Sequence, residues 1–371
     1  MNKKVGIVTH HNSFNYGAAL QAYATVSFLK NNQLEPIIID YCPDYLQGFG
    51  TYKKTYSELS LNNTNIIKRV LFTLIKTPSY KRLKKRFDDF SGKEFPLTKP
   101  YFSLEELKND LPNCYAYCTG SDQVWNNYYT HEFDSVYFLD FVPSKSKCFS
   151  IASSFGKESF TEEELAYIKE KTKKYDYISV REETGLKILS DVDYSNAKLM
   201  LDPTLLVSTK EWKKLLKPIQ NTKPYILVYQ LHGDSNALDL AMKFGKKNKM
   251  QVISLVTMYH QIRPGCKNVI IPQVPEFLGL FEGAEYVFTD SFHGTVYSLQ
   301  FEKKLAAVLP HKFSNRITTL LNAIDAKDFI VNDINQWFNS VDKIDYKQLT
   351  EKLNALRIEK ATELKDYLST L

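Results

Sequence analysis

The chain opens on an apolar run, Val5-Gly6-Ile7-Val8, that stops at the polar pair His10-His11. A helical recurrence of Leu20, Ala24 and Phe28 follows over 17–30, and then Ile37-Ile38-Ile39 inside 36–40. Strand, helix and strand at this spacing predict parallel pairing with a right-handed crossover. The alternation continues with strands expected over Ala116–Thr119, 147–152 and 177–180, and helices over 162–174 and 182–189. Asp202-Pro203-Thr204 and the polar stretch 210–223 read as a linker. Beyond it come a strand at Tyr225–Tyr229, a helix over 236–247, strands over 252–256 and 268–271, a helix over 275–282 and a strand at Tyr286–Thr289. From Tyr346 the leucines 349, 353, 356, 364, 368 and 371 recur at helical spacing, which predicts one long amphipathic helix.

The pattern predicts an α/β protein with a first Rossmann-like domain over 1–209, a second over 223–345 and a closing C-terminal helix over 346–371. Two such domains facing across a cleft describe a GT-B-like architecture, with ligands expected in the cleft. A length of 371 residues suits two domains, and 43% apolar with 24% charged residues supplies an ordinary core. No apolar run is long enough to span a bilayer as a helix. Met1 to Lys4 lead straight into the first strand without a signal-peptide pattern, so the expected location is cytoplasmic. Five scattered cysteines (Cys42, Cys114, Cys118, Cys148, Cys266), with no C-x-x-C pair, read as buried free thiols, and no metal site is expected.

Charge alters this picture in one place. The net charge is +6, yet between Lys53 and Phe90 ten basic residues face three acidic ones. This basic insertion, 53–95, contains an apolar stripe (Ile66, Ile67, Val70, Leu71, Leu74, Ile75) followed by Lys81-Arg82-x-Lys84-Lys85-Arg86. A basic amphipathic helix over 64–90 can lie on an anionic membrane at the inner face of the cell membrane, or pack inward with its lysines solvated. No nucleic-acid partner is expected.

Polar clusters fall where strands end and helices begin. In His10-His11-Asn12-Ser13-Phe14-Asn15-Tyr16-Gly17, Asn15 reads as an N-cap and Gly17 as a point where a ligand can approach the backbone. The alternative is a turn that needs Asn and Gly. This run is not a G-x-G-x-x-G fingerprint and implies no dinucleotide. In Gly120-Ser121-Asp122-Gln123-Val124-Trp125, Asp122 can act as a base or bind a sugar hydroxyl. Trp125 can stack on a pyranose, with Gln123 beside it, or simply pack. Arg181, at the end of another strand, can grip a phosphate or carboxylate, or pair with a neighbouring acid. In Thr289-Asp290-Ser291-Phe292-His293-Gly294-Thr295, His293 stands at a helix start, where it can touch an anion and exchange a proton.

In chain order, Asn15-Tyr16-Gly17-x-x-Leu20-Gln21-Ala22-Tyr23, Gly120 to Trp125, Ser153-Ser154-Phe155-Gly156, Ser179-Val180-Arg181-Glu182, Asp202-Pro203-Thr204-Leu205-Leu206 and Asp290 to Thr295 resemble the polysaccharide pyruvyl transferase family. The resemblance spans roughly residues 5 to 320. It departs where Asn126-Asn127 replaces the usual Asn-Pro and Ser153-Ser154 a commoner Ala-Ser. It implies phosphoenolpyruvate as donor with no cofactor, His293 as the leading catalytic residue and Arg181 as a donor ligand. Phosphate and carboxylate on one donor call for several cations or helix amides. The candidates are Arg181, His293, Arg263, Lys312 and Arg316, with Ser291, Asn15 and Gly17 near the helix starts. Asp122 is the expected base, and Trp125 and Gln123 the acceptor contacts, for a hexose that can be carried on a lipid diphosphate. Two other functions suit the same architecture: a nucleotide-sugar glycosyltransferase, and a non-catalytic carbohydrate-binding protein.

Overall fold

The computed structural model describes residues 3–46, 66–127, 132–220, 223–233, 235–310, 314–331 and 333–371. The chain divides into two compact units. The first is Met1–Pro78, Phe87–Leu206 and Lys360–Leu371; the second is Ser79–Arg86 and Val207–Glu359.

The first unit is built on a parallel sheet of order β3-β2-β1-β4-β5. Its strands are β1 (Lys3–Val8), β2 (Leu34–Tyr41), β3 (Leu97–Tyr101), β4 (Ala116–Thr119) and β5 (Lys147–Ser150). Val5, Ile7 and Val8 are fully buried, as expected of a central parallel strand covered on both faces. The helix Tyr16–Asn31 begins at Asn15, whose side chain accepts from the Ala18 amide, and buries most of its circumference. Bridges Phe149↔Tyr177 and Ser153↔Val180 lead from β5 to a parallel pair, β6 (Ser179–Val180) and β7 (Lys198–Leu199).

The second unit repeats the plan. Its strands are β8 (Tyr225–Tyr229), β9 (Gln251–Val256), β10 (Lys267–Ile270), β11 (Tyr286–Thr289) and β12 (Lys304–Ala307), all parallel in the order β10-β9-β8-β11-β12. In each sheet the chain winds outward in opposite directions from two adjacent strands, β1 and β4, then β8 and β11. The carboxyl ends of those pairs are the topological switch points, where open α/β sheets bind ligands.

The structure departs from the sequence reading in several places. Asp202-Pro203-Thr204 is no linker: all three residues are buried, and Pro203–Leu206 forms a short helix. The polar stretch after it contains the helix Thr209–Leu215, which buries Trp212 against Tyr297. The C-terminal helix, Tyr346–Thr370, is shared between units rather than standing alone. Leu349 and Leu353 are buried in the second unit. Leu364, Leu368 and Leu371 are buried in the first, where Tyr367 stacks on Tyr177 at 4.4 Å. The basic helix is Ile66–Glu94, with Pro78 inside it; the start of the basic insertion, 53–65, lies outside the described residues. Its Ser79–Arg86 segment groups with the second unit, where Ser79 Oγ accepts from the Tyr259 amide at 3.0 Å.

Candidate functional site

At the first switch point the loops after β1 and β4 are tied together. Thr9 Oγ1 donates to the Ser121 carbonyl at 2.9 Å and accepts from Gln21 Nε2 at 2.8 Å. A Cβ on Gly120 would stand 2.8 Å from Thr9 Cβ, so only glycine lets the two loops close this tightly.

The next residues form a buried charge network. Arg181 Nη1 donates to Asp202 Oδ2 at 2.8 Å and Nη2 to Asp122 Oδ1 at 3.0 Å, with Glu182 Oε2 3.9 Å from Nε. Asp202 Oδ1 accepts from both the amide (3.0 Å) and hydroxyl (2.6 Å) of Thr204, and Oδ2 lies 2.9 Å from Ser121 Oγ. Glu182 Oε1 accepts from the Phe155 amide at 3.0 Å. Burial opposes the Arg181 charge, but Asp122, Asp202 and Glu182 outweigh it and hold the guanidinium above its ordinary range. Three of the sequence motifs therefore meet on one guanidinium, and a fourth joins them through Glu182.

This placement corrects two expectations. Arg181 is buried and held by protein carboxylates, so its fork is spent inside the fold rather than offered to a donor. Trp125 is no sugar platform. Its indole is 0% exposed, stacked on Phe138 at 5.4 Å and edge-on to Tyr175, with Nε1 donating to the Tyr137 carbonyl.

What remains at this edge is polar and part-exposed. Asp122 sits at φ +81°, its carbonyl accepting from Ser154 N and its Oδ1 from Gln123 N as well as Arg181. Gln123 Oε1 accepts from Asn126 Nδ2 at 3.2 Å, and Asn126 is a site candidate that the sequence reading passed over. Gly156, at φ +63°, lies so close that a Cβ there would meet Asn126 Nδ2 at 2.5 Å. Asn15 is exposed at the neighbouring helix start, while Gly17 is buried in that helix's first turn.

The second switch point is assembled in the same way. Thr289 Oγ1 donates to the Tyr229 carbonyl at 2.6 Å and accepts from the Ser291 amide at 3.1 Å. A Cβ on Gly294 would fall 2.2 Å from Thr289 Oγ1, so glycine is what allows the helix Phe292–Gln300 to start against β11. Ser291 caps that helix by accepting from Gly294 N. His293 is its second residue, 7% exposed, with its ring edge-on to Phe292. The Arg316 guanidinium lies 5.7 Å from the ring centre of Phe292, the residue between Ser291 and His293.

Asp290 is a functional candidate that the sequence reading quoted without a role. Its two carboxylate oxygens accept from the Leu231 amide (2.7 Å) and the His232 amide (2.9 Å), shaping the loop after β8. Burial pushes its carboxyl up from the ordinary range, against the pull of those amides. Of the other cations considered, Lys312 lies outside the described residues. Arg263 donates its amide to Asn268 Oδ1, and its guanidinium Nη1 donates to the His260 carbonyl at 3.3 Å. Among the described residues no group of three His, Cys, Asp or Glu side chains is arranged to hold a metal ion.

The chain is similar in structure to several sugar-nucleotide enzymes. UDP-N-acetylglucosamine 2-epimerase from Rickettsia bellii superposes with a TM-score of 0.52 at 13% identity, over 100% of this chain and 96% of the epimerase. S. aureus MnaA, in a co-structure with UDP, gives 0.53 at 10% identity over 100% and 98%. An α-glucosyltransferase in complex with UDP and DNA gives 0.50 at 8% over 98% and 95%. At such identities the likeness shows the fold alone, which is GT-B-like. No curated protein sequence matches the chain. The profile of one family does match, over residues 15–311, and takes in the clusters Gly120 to Trp125 and Asp290 to Thr295. By that match the chain belongs to the polysaccharide pyruvyl transferase family.

Proposed function

We propose that the protein transfers the pyruvyl group of phosphoenolpyruvate to two hydroxyls of a hexose, as a ketal. The observation that carries this reading is the place of His293 in the first turn of the helix Phe292–Gln300, next to the Ser291 cap and with Arg316 over the ring of the intervening Phe292. A helix N-terminus with a cation beside it suits a phosphate, and an imidazole there can hand over a proton. In the proposed reaction His293 delivers a proton to the methylene carbon of the donor. A sugar hydroxyl bonds to the adjacent carbon as it loses its own proton. The bond from that carbon to the phosphate oxygen breaks, phosphate leaves, and a second hydroxyl closes the ketal. Of the two hydroxyl protons, one returns to the His293 imidazole and the other goes to the departing phosphate. Asp122, the base that the sequence suggested, has an Oδ1 that already accepts two N–H groups, from Gln123 and Arg181.

Incubation with phosphoenolpyruvate and hexosides, with release of phosphate and a ketal mass increment as readout, tests the reading. Phosphate release with the increment is the expected result. Consumption of a nucleotide sugar in place of phosphoenolpyruvate would overturn it and favour the glycosyltransferase alternative.

The acceptor is proposed to be lipid-linked, with the basic helix carrying the enzyme to the membrane. No helix among the described residues is long and apolar enough to cross a bilayer. The basic helix buries Leu83, Phe87 and Phe90, which turns Lys81, Lys84 and Lys85 outward. Val70, Leu74 and Ile75 are more than half exposed along the same helix. Apolar residues beside outward cations suit an anionic lipid surface, at about 1 kcal/mol per basic residue. Arg82 is half-buried, with Nη1 3.5 Å from the Tyr259 hydroxyl, and belongs to the packed side. Co-sedimentation with anionic vesicles is expected at low salt. It should weaken at high salt and disappear when Lys81, Lys84 and Lys85 are changed to Glu. Equal recovery in the supernatant with and without anionic lipid would end the membrane proposal.

A further inference from the structure

The second unit holds a cavity of about 360 Å³ at the opposite end of the helix Phe292–Gln300 from His293. At 1.5 Å of rise per residue, Gln300 lies roughly 10 Å along that helix from His293. Lys213, Lys303 and Arg357 line the cavity, together with Glu282 and Glu302. Glu302 Oε1 accepts from the Thr350 hydroxyl at 3.0 Å. Arg357 donates to two neutral amide oxygens, Gln300 Oε1 at 2.9 Å and Asn354 Oδ1.

The electrostatics here run opposite to those at Arg181. There, three carboxylates raise the guanidinium in spite of complete burial. Here burial wins, and it pushes both Lys303 and Arg357 below their ordinary ranges. For Lys303, Glu282 and Glu302 work against this fall and Lys213 adds to it. The helices Val274–Glu282 and Phe292–Gln300 both end at this cavity, and their carbonyl ends attract cations. That accounts for cations at the surface. It does not account for three cations from separate segments, Lys213, Lys303 and Arg357, converging on one cavity lined by two carboxylates.

We propose that this cavity is an anion site, distinct from the one at His293, that takes a small oxyanion of the phosphate or phosphomonoester class. A guanidinium and two ammonium groups suit phosphate oxygens, and the volume fits a ligand of that size. Because Thr350, Leu353, Asn354 and Arg357 come from the C-terminal helix, an occupant would fasten the first half of that helix to the second unit.

The test uses the full chain and inorganic phosphate, titrated at constant ionic strength with chloride as the control, with the melting temperature as readout. Phosphate is expected to raise the melting temperature saturably in the wild type and in H293A, where the other site is impaired, and to lose this effect when K303M or R357M is added to H293A. K303M keeps the test decisive if R357M fails to fold. Phosphoenolpyruvate turnover by K303M at low phosphate is expected to stay near wild type, which separates this site from the one at His293. The proposal is overturned if H293A carrying K303M keeps the full phosphate-dependent rise of H293A, or if H293A itself shows none.

Discussion

His293→Ala is expected to leave a folded protein whose phosphoenolpyruvate-dependent phosphate release is about a hundred- to ten-thousand-fold slower, the usual cost of losing a positioned proton donor. The fold should survive because what starts the helix lies elsewhere. Ser291 caps it, Gly294 permits its close approach to Thr289, and Asp290 organises the adjoining loop. Alanine is also a good helix former, so the second position of Phe292–Gln300 tolerates it. The measurement is single-turnover and steady-state phosphate release beside a melting curve. Near-normal turnover in a folded H293A protein would remove His293 as the catalytic residue while leaving the family membership untouched.

Arg181→Met should act on stability instead. The substitution removes a cation shared by Asp122, Asp202 and Glu182 and leaves the carboxylates of Asp202 and Glu182 buried beside the part-exposed Asp122. Breaking a buried ion pair from one side costs about 3–5 kcal/mol. That is a large part of the roughly 5–15 kcal/mol that holds a typical domain. Urea or thermal unfolding should therefore show the first unit destabilised by several kcal/mol or unfolded outright. Arg181→Lys should fall between, since an ammonium restores the charge but cannot reach Asp122 and Asp202 together through a planar fork. If either variant kept wild-type stability and lost only affinity for phosphoenolpyruvate, Arg181 would have to be returned to the donor.

Both variants concern residues in the same kind of sequence context, a polar cluster after an apolar strand, and their different fates show where sequence reading runs out. Strands β4, β8 and β11 were legible to the residue, because central parallel strands are continuous apolar runs with polar ends. The C-terminal helix was legible for a related reason, since its leucines keep helical spacing throughout. The edge strand β3, Leu-Thr-Lys-Pro-Tyr, was missed; only its final Tyr101 is buried, so no apolar run marks it. Asp202-Pro203-Thr204 looked like a linker because an Asp-Pro step in isolation reads as a turn.

By itself the sequence determined the alternation of strands and helices, the family, and the presence of polar clusters at strand ends, because each of these is written in neighbouring residues. Only the tertiary structure decided which polar groups the fold consumes and which it leaves at the edge. Arg181 meets its partners across 21 and 59 residues of chain, and Ser121 reaches Asp202 across 81. Burial and charge pairing depend on what the packed chain brings within about 3 Å, and spacing along the sequence carries no record of that distance.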